Sequence, residues 1–244
     1  MLDASTHPAT WHLSVSTHPK NRPMTQRLSS VIYVATKRGI DVVASAILLV
    51  LLSPLFLAIA IAIKLDSRGP VIYVQQRGGL NGRLFNFYKF RSMTNGHDHT
   101  VEHRKFAAAY INGHTTAHQA EGNGRTLYKP ATNGHSITRV GRWLRRTSLD
   151  ELPQLVNILK GDMSLVGPRP YIDYEVAMYT EYQRQRLAVV PGLTGWAQIN
   201  GRSSLSFDEI VRLDLEYIAQ RSLRKDLAIL LATIPRVLRA QDVG

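Results

Sequence analysis

The sequence predicts an α+β fold held at a membrane. It is a mainly helical domain with one small β-hairpin, behind an apolar N-terminal helix broken near its middle. Three observations carry this. Val42 to Ile63 is a run of 22 residues without a charge. Two strand-like segments flank Asn81-Gly82. Most of the remaining chain reads in helical periods punctuated by Gly and Pro.

The apolar run is long enough for a bilayer, which takes about 20 apolar residues. It starts far from Met1 and no small-residue cleavage site follows, so it is not a cleaved signal peptide. Ser53-Pro54 lies near its middle. Proline removes a helix hydrogen bond and kinks the axis, and a serine hydroxyl can satisfy the freed carbonyl. Lys37 and Arg38 precede the run, and Lys64 and Arg68 close it. Positive charge at both ends gives no inside–outside asymmetry. A broken helix that enters one leaflet and returns meets these observations, with arms of about 15 Å each. A kinked spanning helix meets the length and composition equally well.

Before the run, residues 1–36 are rich in Ser, Thr, His and Pro and read as a flexible tail. The membrane element takes 37–68 and the main domain 69–244. Val71–Val74 and Leu84–Phe90 read as strands joined by the Asn81-Gly82 turn. Residues 95–135 form a polar, Gly- and His-rich insertion, read as a mobile loop. His97, Asp98, His99 and His103 within it offer metal-ligand types without an arguable geometry.

The segment Arg145-Arg146-Thr147-Ser148-Leu149-Asp150-Glu151-Leu152-Pro153-Gln154-Leu155 is the most informative one. Ser148 and Glu151 fit an S-x-x-E capping box, and Gly161 marks a stop. The pattern predicts a helix from Leu149 to Lys160 with both acids in its first turn. Free N–H groups there suit anions. First-turn acids often only complement the helix dipole. With Arg145 and Arg146 beside them, they also suit phosphoryl chemistry with a divalent metal. Further on, Arg169 lies in a Gly/Pro-stiffened turn, as bidentate phosphate recognition favours. Tyr174–Leu187 and Ser206–Tyr217 read as helices. Pro191 to Arg202 is a glycine-rich loop that could wrap a nucleotide or make a tight crossing. Leu227–Arg239 reads as an interfacial helix.

Composition narrows the partners. The 244 residues are enough for one large domain and a real core. With no cysteine, disulfide frameworks and thiolate metal sites are excluded. Thirty Lys and Arg against eighteen Asp and Glu give a formal charge of +12. Such a surface suits anionic lipid or a negatively charged substrate. The basic residues form no long block, which argues against nucleic acid.

Four segments together resemble one family. Gly69–Arg77 (GPVIYVQQR), Tyr88–Met93 (YKFRSM), Arg145–Pro170 (RRTSLDELPQLVNILKGDMSLVGPRP) and Pro191–Arg202 (PGLTGWAQINGR) are similar to the bacterial sugar transferases. These are the monotopic polyprenyl-phosphate phosphoglycosyl transferases, and the resemblance runs from about Lys37 to the C-terminus. It implies transfer of a sugar-1-phosphate from a UDP-sugar to polyprenyl (undecaprenyl) phosphate, with UMP released. That step initiates exopolysaccharide, O-antigen or glycoconjugate assembly.

The resemblance further implies a covalent intermediate on Asp150, with Glu151 beside it, Mg²⁺ held by Asp150 and Glu151, and Arg145 as a functional arginine. Lys89, Arg91, Arg169 and Arg202 become substrate-binding candidates, and Asp214, one helical turn before Tyr217, joins them. It implies a re-entrant helix broken at Ser53 and Pro54 and a catalytic domain on the cytoplasmic face of the bacterial inner membrane, and it allows a homodimer without fixing the oligomeric state. A membrane-bound nucleotide-sugar diphosphatase, with water as acceptor, could use the same acids. A non-enzymatic membrane adaptor would use only the basic surface.

Overall fold

The computed structural model describes residues 24–94, 100–113, 137–201 and 204–238. Its first two helices, α1 (Met24–Leu51) and α2 (Ser53–Asp66), meet at 60°. The break follows from Pro54, which has no N–H to give to the Val50 carbonyl four residues back. The Ser53 hydroxyl donates to that carbonyl instead, at 2.8 Å. Among the described residues no single helix is long and apolar enough to cross a membrane, but the bent pair is, by length and composition.

Helix α1 starts earlier than the sequence suggested, so 24–36 are helical rather than part of a tail. The reason is a polar face on α1 that needs a partner. Tyr33, Lys37, Asp41 and Ser45 recur every fourth residue, with Arg38 alongside. Asp41 accepts the Leu165 N–H at 3.0 Å. Arg38 donates to the carbonyls of Ile158 and Leu159. Tyr33 and Lys37 both reach Asp226, at 2.9 and 2.8 Å. Val43, Ile47 and Val50 are exposed.

The far end of the helix pair is fastened as well. Arg91 donates to the carbonyls of Ser67 and Arg68, at 2.7 and 2.9 Å, and to the Ser67 hydroxyl. The Asp66 carboxylate accepts the Val140 N–H. Both ends of the bent pair are therefore bonded to the same domain.

Strands β1 (Ile72–Gly78) and β2 (Leu84–Phe90) form the expected antiparallel hairpin, with Ile72 opposite Phe90 and Gly78 opposite Leu84. β1 extends beyond the apolar Val71–Val74 because its polar residues Gln75 to Arg77 pair with Phe87, Asn86 and Phe85. Helix α3 (Thr100–Ile111) lies inside the segment read as a mobile loop. Its Tyr110 and Ile111 are buried in a core cluster with Tyr171, Tyr179, Phe207 and Val211. His103 on α3 bonds the Tyr174 hydroxyl; His97, Asp98 and His99 lie outside the described residues.

After α4 (Arg139–Arg146) the chain departs from the expected single helix. Ser148 takes a left-handed conformation (φ 56°) and caps nothing. Leu149–Glu151 form one 3₁₀ turn, and α5 spans only Gln154–Lys160. Pro153 explains this, since within a helix its ring would clash with the Leu149 carbonyl. Gly161 ends α5 at φ 90°, as a left-handed cap residue should.

The short parallel pair β3 (Ser164–Val166) and β4 (Gly192–Thr194) crosses two distant loops. Gly167 donates to the Thr194 carbonyl at 2.8 Å, and Gly192 to the Pro168 carbonyl at 2.9 Å. A Cβ on Gly192 would sit 2.0 Å from the Gly167 nitrogen. The glycine-rich loop is thus a tight backbone crossing. Between these strands, the helix expected over Tyr174–Leu187 is broken into α6 (Asp173–Ala177) and α7 (Glu181–Arg184), with a 3₁₀ turn to Ala188. Thr180 caps α7. The chain closes with α8 (Trp196–Ile199), α9 (Phe207–Gln220) and α10 (Leu223–Leu238). Ser206 and Glu209 cap α9 reciprocally.

The main core sets Phe87 of β2, Leu155 and Ile158 of α5, Tyr217 of α9 and Ile229 of α10 together, with Leu48 of α1 packed on them. A third cluster joins Ile59 and Ile63 of α2 to Phe90 and Leu144. Each half of the bent pair therefore packs its own part of the domain.

Candidate active site

Asp150 and Glu151 occupy the 3₁₀ turn between α4 and α5, and each is 8% exposed. Three other elements bring cations to them. Lys89, near the end of β2, places Nζ 3.0 Å from Glu151 Oε1 and 3.6 Å from Asp150 Oδ2. Arg169, in the turn after β3, forks onto Glu151: Nη1 to Oε2 at 3.3 Å and Nη2 to Oε1 at 2.5 Å. Arg145, in the last turn of α4, is buried, with Asp150 the carboxylate whose charge acts on it.

Local structure holds these cations in place. The Asn157 side chain, fully buried on α5, accepts the Tyr88 N–H at 3.1 Å and donates to the Asn86 carbonyl at 2.6 Å. It does for β2 what a third strand would, and so fixes Lys89 above the acid turn. Arg77 of β1 donates to the Pro170 carbonyl at 2.7 Å, and the Gly78 N–H donates to Tyr171. Those bonds pin the turn that carries Arg169. Arg186 braces it from behind, donating to the Arg169 carbonyl at 3.4 Å and to the Tyr179 hydroxyl at 3.0 Å.

Burial pushes the Lys89 ammonium below the ordinary lysine range; the charges of Glu151 and Asp150 oppose that shift. The same desolvation lowers Arg145 against the pull of Asp150. Three cationic side chains thus meet two carboxylates at this turn. The excess positive charge in a partly dehydrated setting suits a phosphate-bearing ligand. Among the described residues no group of three His, Asp or Glu side chains forms a metal cage.

The remaining expected residues fall elsewhere. Arg91 is 3% exposed and committed to the end of α2, a structural role in place of the expected phosphate contact. Asp214 is 2% exposed and ion-paired with Arg186, so it faces the core behind the Arg169 turn. Tyr217 turns away from it, donating to Asp226 at 2.7 Å. Arg202 lies outside the described residues.

Three residues had escaped the sequence reading. Arg186, Asn157 and Gln154 look like ordinary helix polar residues until their burial is seen. Gln154 is 0% exposed and its amide has no partner among the described residues. Their only signal in the sequence is polarity at positions where the helical period calls for apolar side chains.

Comparison with known proteins places the chain in a family. The model of the bacterial sugar transferase family matches residues 32–240. An undecaprenyl-phosphate glucose phosphotransferase of Komagataeibacter xylinus is 42% identical over 84% of this chain, which is 36% of that protein. A UDP-glucose:undecaprenyl-phosphate glucose-1-phosphate transferase of Caulobacter vibrioides is 43% identical, covering 84% of this chain and 71% of its own length. An undecaprenyl-phosphate galactose phosphotransferase of Salmonella typhimurium is 40% identical over 83% of this chain and 40% of its own. The chain thus spans less than half of the Komagataeibacter and Salmonella proteins. With the family model matched over nearly the whole chain, this protein belongs to the bacterial sugar transferase family.

Proposed function

We propose that this protein transfers a sugar-1-phosphate from a UDP-sugar to a polyprenyl phosphate and releases UMP. The observation that carries this reading is the acid pair Asp150–Glu151 set among Lys89, Arg169 and Arg145. The names of the relatives support it, since they describe transfer to undecaprenyl phosphate.

In the first step an Asp150 carboxylate oxygen attacks the sugar-bearing phosphorus. The phosphorus–oxygen bond to UMP breaks, and UMP departs with the electron pair. In the second step a phosphate oxygen of the polyprenyl phosphate attacks the same phosphorus. The bond to Asp150 breaks, the carboxylate is restored, and a polyprenyl-diphosphate sugar results. Carboxylates are competent nucleophiles at phosphorus once the phosphate charge is masked. Lys89, Arg169 and Arg145 supply that masking. A diphosphate draws Lys89 and Arg169 away from Glu151, because it offers them more charge than one carboxylate.

Two adjacent carboxylates without a third protein ligand suit Mg²⁺, which commonly binds through one or two carboxylates and substrate phosphates. Asp150 and Glu151 would hold the ion, and it would supply charge neutralisation at the diphosphate.

The bent helix pair acts as a re-entrant anchor. Arg38 and Lys37 at one end, and Ser67 and Arg68 at the other, bond to one domain. A spanning helix would hold its ends about 30 Å apart on opposite faces of the bilayer. The exposed residues Val43, Ile47 and Val50 of α1 and Leu57 and Ile61 of α2 face lipid. The basic surface holds the domain at the anionic cytoplasmic leaflet.

UMP release by the purified protein, across a panel of UDP-sugars with and without undecaprenyl phosphate, tests the reaction. Release that needs the lipid is expected. Lipid-independent release would assign a diphosphatase instead. Topology has its own test. Single cysteines placed before Lys37 and after Arg68 should both react from the cytoplasmic side, and labelling from opposite sides would overturn the re-entrant anchor.

A further inference from the structure

Ser148 is the strained point of the acid turn, two residues before Asp150. Its φ of 56° is left-handed. That conformation is costly for a residue with a Cβ and free for glycine. Among the described residues one other non-glycine has a positive φ, Asn81, and there the Asn-Gly turn requires it.

The left-handed break shapes the site. In one continuous helix, residues 145 and 150 would point about 140° apart around the axis. The break turns them toward each other, and the charge of Asp150 acts on Arg145. Ser148 ties the two ends with its backbone. Its N–H donates to the Arg145 carbonyl at 3.1 Å, and its carbonyl accepts the Glu151 N–H at 3.2 Å. Glycine could make both bonds without strain. The backbone therefore gives no reason for a serine side chain at this position.

Capping gives no reason either. Hydroxyls elsewhere at helix starts and breaks are committed: Ser53 donates to the Val50 carbonyl, Thr138 accepts from Gly141, Thr180 from Gln183 and Ser206 from Glu209. Beside Ser148, the Thr147 hydroxyl turns back to the Trp143 carbonyl at 2.9 Å. Ser148 opens a 3₁₀ turn yet caps nothing, and its hydroxyl has no hydrogen-bond partner among the described residues. It is half-buried and borders the same cavity as Glu151, so the space before it is open to a ligand. Strain kept beside reactive groups, on a side chain with an uncommitted donor, points to a use in the reaction.

We infer that Ser148 is a further catalytic residue: its hydroxyl donates to a non-bridging oxygen of the phosphoryl group that Asp150 attacks. The inference rests on the transferase reading above. Lys89, Arg169 and Arg145 mask the phosphate charge, whereas a hydroxyl adds a directional donor and no charge. The bond serves both steps, because the same phosphorus is attacked first by Asp150 and then by the polyprenyl phosphate.

The test compares Ser148→Gly and Ser148→Ala in the full chain. Glycine keeps the left-handed turn and loses the hydroxyl; alanine loses the hydroxyl and keeps the strain. Exchange of labelled UMP into a UDP-sugar without lipid reads the first step, and transfer to undecaprenyl phosphate reads both. In both variants both rates should fall about 10- to 100-fold, with donor KM within about threefold and the melting temperature within about 3 °C of wild type. A glycine variant as fast as wild type would overturn the inference, since the backbone alone would then account for Ser148. A rate loss that tracks a lower melting temperature, or one confined to transfer with exchange intact, would overturn it as well. A wild type that neither exchanges nor transfers with any UDP-sugar would instead remove the transferase reading.

Discussion

Two acid–base clusters meet at Arg169, and they are built on opposite principles. In front, Asp150 and Glu151 face Lys89, Arg169 and Arg145, with more cations than acids. Behind, Asp214 and Arg186 make a one-to-one pair, 1–2% exposed, under a lid of Tyr171, Tyr179 and Phe207 rings. The Arg169 side chain belongs to the first cluster, while its carbonyl accepts from Arg186 of the second. The balanced pair has nothing left to offer a ligand and serves to hold the turn. The unbalanced cluster keeps positive charge in reserve, which is what binding an anion requires.

The sharpest way to break this contrast is Asp150→Asn. UMP release should fall by about a thousandfold or more, because the amide is a poor nucleophile. The melting temperature should stay within about 2 °C of wild type. Substantial turnover by that variant would remove Asp150 as the nucleophile.

Asp214→Ala should do the reverse and act first on stability. It leaves the Arg186 charge buried without its counter-ion, at a cost of about 3–5 kcal/mol. Chemical denaturation measures this. The double variant Asp214→Leu/Arg186→Met should recover most of the loss, since an apolar pair removes the stranded charge. A single variant as stable as wild type would mean the pair is not structural.

Lys89→Met should sit between these. Donor KM is expected to rise about 10- to 100-fold, with a smaller stability loss than Asp214→Ala. Its pH behaviour sharpens the point. Burial lowers the Lys89 pKa, so the ammonium loses its proton below the ordinary lysine range. As pH rises through that lowered value, attraction for the diphosphate falls, and kcat/KM for donor should fall with it. Lys89→Arg should move that alkaline limb upward; a profile identical to wild type would exclude Lys89 as its source.

The smallest effect concerns the frame rather than either cluster. Gly192→Ala puts a methyl where the Gly167 nitrogen lies 2.0 Å away. The crossing must open, at about 1–3 kcal/mol. Donor KM should worsen with it, because the same crossing carries the Arg169 turn. Full stability and activity would show that the crossing yields easily.

Much of this architecture was legible in the sequence. The helix break at Ser53-Pro54, the hairpin at Asn81-Gly82 and the stop at Gly161 were all readable there, whereas the carboxylate pair was expected in the first turn of a longer helix. Each follows from the chemistry of one or two residues and their immediate neighbours. Pro153 also held the reason why Leu149–Lys160 is not one helix, although the capping-box pattern at Ser148 masked it. The face of α1 that binds the domain was harder to read. Tyr33, Lys37, Asp41 and Ser45 lie partly in a segment whose composition resembles a flexible tail, and only their partners give them a face.

By itself, then, the sequence determined where the backbone breaks at Pro54, turns at Asn81-Gly82 and stops at Gly161, and that two carboxylates stand side by side, because missing donors, left-handed turns and adjacent acids act locally. Only the tertiary structure decided which basic residues stand against those acids. Lys89 and Glu151 stand 62 residues apart, and Arg169 and Glu151 stand 18 apart. Arg91, two positions from Lys89, is spent on the end of α2. Lys89 and Arg91 carry the same charge, and the contacts around each, made by chain far away in sequence, assign one to the acids and the other to the end of α2.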